Sequence, residues 1–272
     1  MNRIFPRERL GKLGGALLLA LALIALPAAA RENSYDIFGK VLRPFANLFV
    51  ASPGTAKRAV TADLSIEQAT NLPSEAAGEV ISIRLQNPDK VYLSGVVLGQ
   101  AVVVCRDGQQ LWAYPGTKIS ALIGNPDLPP ADPDFKIAPF QLPVSSKQLV
   151  FLPALFQVRD AGDETVEGVE CRVLDVVLMP ELARSLKVSD WAARLWVRPD
   201  YTPARVEVLN EKWHAVIGIK KLVYAPSLPP EMWQPSPEQS QDLLQLTPAR
   251  FKQLIDAAAQ SFTCFKYSSE SH

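Results

Sequence analysis

The sequence predicts a mainly β fold with packed helices, and three observations predict it. From Lys57 onward apolar and polar residues alternate with a period of two, the pattern of strands that bury one face. The alternating segments are joined by short turn sequences, Asn87-Pro88-Asp89, Gly99 and Arg106-Asp107-Gly108, and strands joined so closely pair antiparallel. Near the carboxyl end Phe251, Leu254, Ile255, Ala258 and Phe262 recur at helical spacing, an apolar stripe that has to dock on the sheet.

The amino terminus reads as an address. Arg3, Arg7, Arg9 and Lys12 precede eighteen uncharged residues, Leu13–Ala30, which close on the small-residue pattern Ala28-Ala29-Ala30. A basic region, an apolar region and a cleavage site in that order predict a signal peptide over residues 1–30, cut after Ala30, and a periplasmic location. The alternative is an uncleaved anchor, since eighteen uncharged residues are at the short edge of what spans a bilayer. No Cys follows the apolar run to carry a lipid.

Ile37, Val41, Phe45, Leu48 and Phe49 then predict a helix capped by Asn33 or Ser34, which Pro44 should kink or end. The strand pattern from Lys57 continues in Glu79–Leu85, Lys90–Val97, Gln100–Cys105 and Gln110–Tyr114, a meander of about five strands. Gly124–Pro143 holds six prolines in twenty residues, a linker or a cover over the sheet. Ser145–Phe156 is short and apolar, with helix and strand both open. Glu167–Met179 reads as a strand and Pro180–Lys187 as a short helix with Pro in its first turn. Arg194–Arg198, Ala204–Glu211 and His214–Tyr224 make a second meander. Ser236-Pro237-Glu238-Gln239 opens a helix with a capping box, and Thr247-Pro248 opens another. The organisation expected is therefore a signal peptide at 1–30, a sheet domain at 31–235 and a helical segment at 236–272 that docks on the sheet.

Charge narrows the partners. The chain has 28 basic and 28 acidic residues, and cleavage would leave 24 against 27. With no polybasic or acidic block, nothing favours nucleic acid. Cys105, Cys171 and Cys264 have neither zinc-knuckle nor C-x-x-C spacing. One disulfide among the three, in any pairing, stands beside the reading of three buried thiols.

Catalysis has little raw material. His214 and His272 are the chain's two histidines, and no nucleophile elbow, zinc-protease helix, phosphate loop or dinucleotide fingerprint is present. The sequence therefore reads as non-enzymatic, with no metal and no cofactor expected. The aromatics say more. Trp112 and Trp196 fall inside strands and Trp213 at a strand end; they pack a core or line an apolar cavity under a bent sheet. Arg84, on a strand, is either at a cavity mouth or on a solvated face.

The run VISIRLQNPDKVYLSGVVLGQAVVVCRDGQQLWAYPG, Val80–Gly116, resembles the amino half of outer-membrane lipoprotein-sorting (LolA-like) periplasmic carriers. GVECRVLDVVL and RLWVRPDYTPARVEV, Gly168–Leu178 and Arg194–Val208, are similar to that family's central strand and its Trp-turn-Pro hairpin. The resemblance implies a strongly curved antiparallel half-barrel closed by helices, with an apolar cavity for lipid or acylated protein cargo. Trp112, Tyr114, Phe156, Trp196 and Trp213 would line that cavity, with Arg84 beside them. The alternative on the same fold is an envelope interaction or sensor module with a filled cavity, reading a membrane-protein partner. Oligomeric state is not encoded in any pattern.

Overall fold

The computed structural model describes residues 32–50, 58–70, 78–97, 99–124, 128, 130–139, 148–186, 191–210 and 214–257. Residues 1–30, Trp213, Ala258, Phe262 and Cys264 lie outside them.

A helix, α1 (Ser34–Leu48), leads into β1 (Ala59–Thr70), β2 (Val80–Gln86), β3 (Lys90–Val97), β4 (Gln100–Asp107) and β5 (Gln110–Tyr114). Then follow α2 (Gly116–Ile123), a 3-10 segment (Gln148–Leu155), β6 (Phe156–Val166), β7 (Val169–Leu178) and α3 (Pro180–Leu186). β8 (Ala192–Val197), β9 (Pro203–Leu209) and β10 (His214–Ala225) form the second meander. Two short 3-10 turns, Pro230–Trp233 and Gln239–Asp242, precede β11 (Leu244–Gln245) and α4, residues 248–257.

All eleven strands form one open, curled antiparallel sheet in the order β11-β5-β4-β3-β2-β1-β10-β9-β8-β7-β6. The two expected meanders are thus halves of one sheet, joined where β1 pairs β10 from Ala59↔Ala225 to Thr70↔His214. Shifts of register between Asp63 and Leu64 and between Ile66 and Gln68 interrupt that ladder, and such bulges bend and twist a strand locally.

The structure departs from the expectations at four places. α1 runs through Pro44 to Leu48, although an interior Pro loses a hydrogen bond and crowds the preceding turn. Its last turn is held from outside: the Asn87 side-chain amide donates to the Leu48 carbonyl at 2.6 Å, and the Phe45 ring meets Tyr224 edge-on at 5.6 Å. Of the stretch Ser145–Phe156, Gln148–Leu155 forms a 3-10 segment and Phe156 opens β6, a full strand the sequence pattern did not mark. The capping box at Ser236 forms reciprocally, Ser236 N–H to Gln239 Oε1 at 2.8 Å and Gln239 N–H to Ser236 Oγ at 3.2 Å, yet it starts one 3-10 turn only. β11 then hydrogen-bonds β5, so the segment after 236 contributes a strand as well as a helix. Gly116 permits this closure, since a Cβ there would stand 2.8 Å from the Leu244 nitrogen.

Candidate functional site: an apolar sheet face between two helical covers

Successive side chains of a strand point to opposite faces, so the register assigns every position. One face carries Val91 and Leu93 of β3, Ile81, Ile83 and Leu85 of β2, and Val60, Ala62, Leu64 and Ile66 of β1. It continues through Ile217, Ile219, Leu222 and Tyr224 of β10, Val206 and Val208 of β9, and Ala193, Leu195 and Val197 of β8. From β3 to β8 no charged residue falls on this face.

Two covers pack on it. At one side Ile37, Phe38 and Val41 of α1 meet Leu174, Val176 and Val197, with the Phe38 and Phe156 rings 5.3 Å apart in a T-shape. At the other, Ile119 and Ile123 of α2 and Leu254 of α4 close over Leu111 and Ala113. Arg106 pins the neighbouring extended segment, donating to the carbonyls of Ala138 at 2.9 Å, Gly108 at 3.1 Å and Ile137 at 3.4 Å. Burial holds this guanidinium below its ordinary pKa.

Between the covers lies a different surface. Leu64, Ile66, Ile81, Ile83, Leu93, Val206, Val208 and Ile217 are only half-buried and belong to none of the packed clusters among the described residues. They make an aliphatic floor. At its edge the Tyr224 hydroxyl is buried with no hydrogen-bond partner among the described residues, and burial pushes the phenol above its ordinary pKa. A buried, unpaired hydroxyl costs about 1–3 kcal/mol.

The opposite face holds most of the aromatics singled out in the sequence. Trp112 pairs across Cys105, and Tyr114 across Val103. The Trp112 indole N–H donates at 3.2 Å to the carbonyl of Trp233, which also accepts from the Cys105 thiol at 3.4 Å. Tyr92 meets Trp112 edge-on at 6.2 Å. Arg84 stacks over Tyr92 at 4.4 Å and donates to the Met232 carbonyl at 3.3 Å. The Leu228 N–H bonds Gln86 Oε1 at 2.7 Å. These contacts strap the proline-rich segment Leu228–Trp233 across β2 to β5. Trp196 lies on this same side, in a cluster with Val166, Cys171, Val173 and Ala204, its indole N–H on Glu164 Oε2 at 2.8 Å. Phe156 alone of the described candidates lies on the apolar face, under α1.

Cys105 and Cys171 are free and buried in different clusters, seven strand places apart in the sheet, so they do not pair with each other. Burial first, and Asp107 next, push the Cys105 thiol up to about 12. Burial likewise raises Cys171. Among the described residues no group of three or more His, Cys, Asp or Glu side chains could hold a metal ion. His214 is engaged by Glu207, Nε2 to Oε1 at 2.6 Å.

The class of molecule defined by this geometry is an open antiparallel sheet with one aliphatic face partly roofed by helices. No protein-family model and no curated protein sequence matches the chain. Solved structures similar to it include Mycobacterium tuberculosis lipoprotein LppX, 10% identical with a TM-score of 0.38, over 72% of this chain and 99% of that one. The MucB chain crystallised with MucA(peri) is 15% identical with a TM-score of 0.37, over 75% and 60%. The LolA superfamily protein NE2245 from Nitrosomonas europaea is 10% identical with a TM-score of 0.27, over 75% and 98%.

Proposed function

We propose that the protein is a non-catalytic carrier that holds an acyl chain, of a lipid or an acylated protein, on its aliphatic floor in the periplasm. The observation that carries this reading is the half-buried row of Leu, Ile and Val between the two helical covers, with no charge on that face from β3 to β8. A row of that kind is costly in water, at about 25 cal/mol per Å² of exposed apolar surface. An acyl chain laid on it gains about 0.8 kcal/mol per methylene buried. The signal-like amino terminus supplies the compartment in which an acyl chain needs such a carrier.

Native mass spectrometry of the chain purified from an envelope fraction is expected to find lipid-sized adducts. The delipidated chain is expected to bind a fluorescent sixteen-carbon fatty acid. Ile83→Glu removes contact with about three methylenes and should weaken that binding about fiftyfold, from about 0.8 kcal/mol each. A chain with neither adduct nor fatty-acid binding is not a carrier. One observation favours the second reading, an interaction module: β6 is an open edge of eleven residues, to which a partner strand could add. A partner captured equally well after delipidation would support that reading.

A further inference from the structure

The face that carries the floor is uncharged only as far as β3. There Val91 pairs across Arg106 of β4, and Arg106 across Leu111 of β5. This guanidinium is the first charge met on leaving the aliphatic row toward the cover made by α2 and α4, and the residue is 3% exposed. Beside it is a cavity of about 190 Å³, lined by Arg106 and Lys136, by the backbone of Gly108, and by Leu111, Ile137 and Pro248. A single water needs about 10–15 Å³ of such space, so a phosphate or carboxylate group fits with room left.

The chemistry of the lining selects the occupant. The three carbonyls that accept from Arg106, those of Gly108, Ala138 and Ile137, are neutral; they fix the guanidinium and leave its charge in place. A buried charge is costly until an opposite one meets it. Asp89 stands to one side, its carboxylate oxygen 3.5 Å from where a Cβ on Gly108 would be, and offsets part of that charge. Lys136, exposed and without an ion pair among the described residues, adds a second cation. Two cations against one carboxylate leave the cavity positive, and such a cleft draws an anion. Distance then ties it to the floor. Side chains directly opposed on neighbouring strands stand about 4.5–5.5 Å apart, and Val91, opposed to Arg106, is in turn opposed to Leu85 on the aliphatic face.

Building on the carrier reading, we propose that this cavity seats the anionic head, a phosphate or a carboxylate, of an amphiphile whose acyl chain runs onto the floor from Val91. The ligand class is thereby an anionic lipid rather than a neutral one. Displacement of the fluorescent sixteen-carbon fatty acid tests it with two ligands that share glycerol and one hexadecanoyl chain, lysophosphatidic acid and monohexadecanoylglycerol. The phosphate-bearing ligand is expected to displace the probe at about a tenfold lower concentration. Lys136→Glu, at an exposed site, should bring that ratio close to one, and Lys136→Gln to an intermediate value. Ile83→Glu should weaken both ligands alike and keep the wild-type ratio. Inorganic phosphate, which has no chain, should displace the probe far more weakly than lysophosphatidic acid; phosphate that matches it would make the cavity a free-anion site and sink the head-group assignment. Equal displacement by the two lipids, or a ratio untouched by Lys136→Glu, would overturn the assignment and leave the carrier reading standing. Failure of every ligand to bind, the probe included, would overturn both.

Discussion

Replacing Trp112 by Phe separates a packing role from a ligand-lining one. Trp112 is 3% exposed and its indole N–H is bonded to the Trp233 carbonyl at 3.2 Å. Phe removes that donor and part of the ring while keeping an aromatic against Tyr92. The carbonyl keeps the Cys105 thiol at 3.4 Å, a weak donor, so the lost hydrogen bond costs about 1 kcal/mol rather than the full penalty of an orphaned group. The volume removed from a filled site adds about 1–2 kcal/mol. A total near 2–3 kcal/mol lowers the melting midpoint of a domain of this size by about 4–12 °C. Thermal unfolding followed by circular dichroism measures it, with fatty-acid binding titrated in parallel at a temperature where both proteins are folded. The expected result is a lowered midpoint with unchanged affinity. An unchanged midpoint with weakened binding would refute the assignment of Trp112 to the strap beneath Trp233.

Tyr224→Phe removes a buried hydroxyl that has no partner among the described residues; the empty protein should be as stable as wild type or up to about 2 kcal/mol more stable, and a less stable variant contradicts that environment. Gly218→Ala would set a methyl 2.3 Å from Glu67 Oε1 and displace the carboxylate from Arg205, now 2.7 Å away. A loss of about 1–2 kcal/mol is expected, shared with Glu67→Gln, so a fully additive double mutant would refute the coupling. Because the fold favours the neutral Cys105 thiol, its contribution is intact below the ordinary value of 9 and is lost as pH rises toward about 12. Wild type should therefore lose stability more steeply than Cys105→Val above pH 9 in denaturant titrations, and parallel curves would exclude it. Arg106→Met releases the carbonyls of Ile137 and Ala138, and hydrogen exchange of residues 135–139 should quicken at least tenfold; unchanged protection would mean that Arg106 is not the staple.

The strands of both meanders were legible because turn chemistry brackets them. β3 and β5 have the bounds the alternation gives, and β2 and β4 differ by a residue or two. β6 was not legible for a physical reason. FQVRDAGDETV has one neighbour strand, a bulge between Asp160 and Gly162 and three acids, a composition that protects an edge from aggregation and reads as loop. The β1–β10 pairing is non-local and leaves no mark in either strand alone. At the candidate site, strand parity already separates the aromatics from the aliphatic floor. Trp112 lies between Leu111 and Ala113, both on the apolar face, so alternation already sent its ring the other way. An uncharged set of alternate positions, Ile81, Ile83, Leu85, Val91 and Leu93, was the signal that marks the floor.

The place of β1 has a consequence for how the molecule comes into being. This strand is near the middle of the sheet, yet Ala59 finds Ala225 only 166 positions later in the chain. Contacts so distant in sequence make folding slow. Until β10 arrives, β1 offers an unsatisfied edge that any other strand can template. The first half can form its meander early, but the floor is only half laid, and it joins across β1 and β10 when nearly the whole polypeptide has reached one compartment. Such a protein has to be kept from its neighbours while it waits, and its aliphatic floor is the last part of it to be completed.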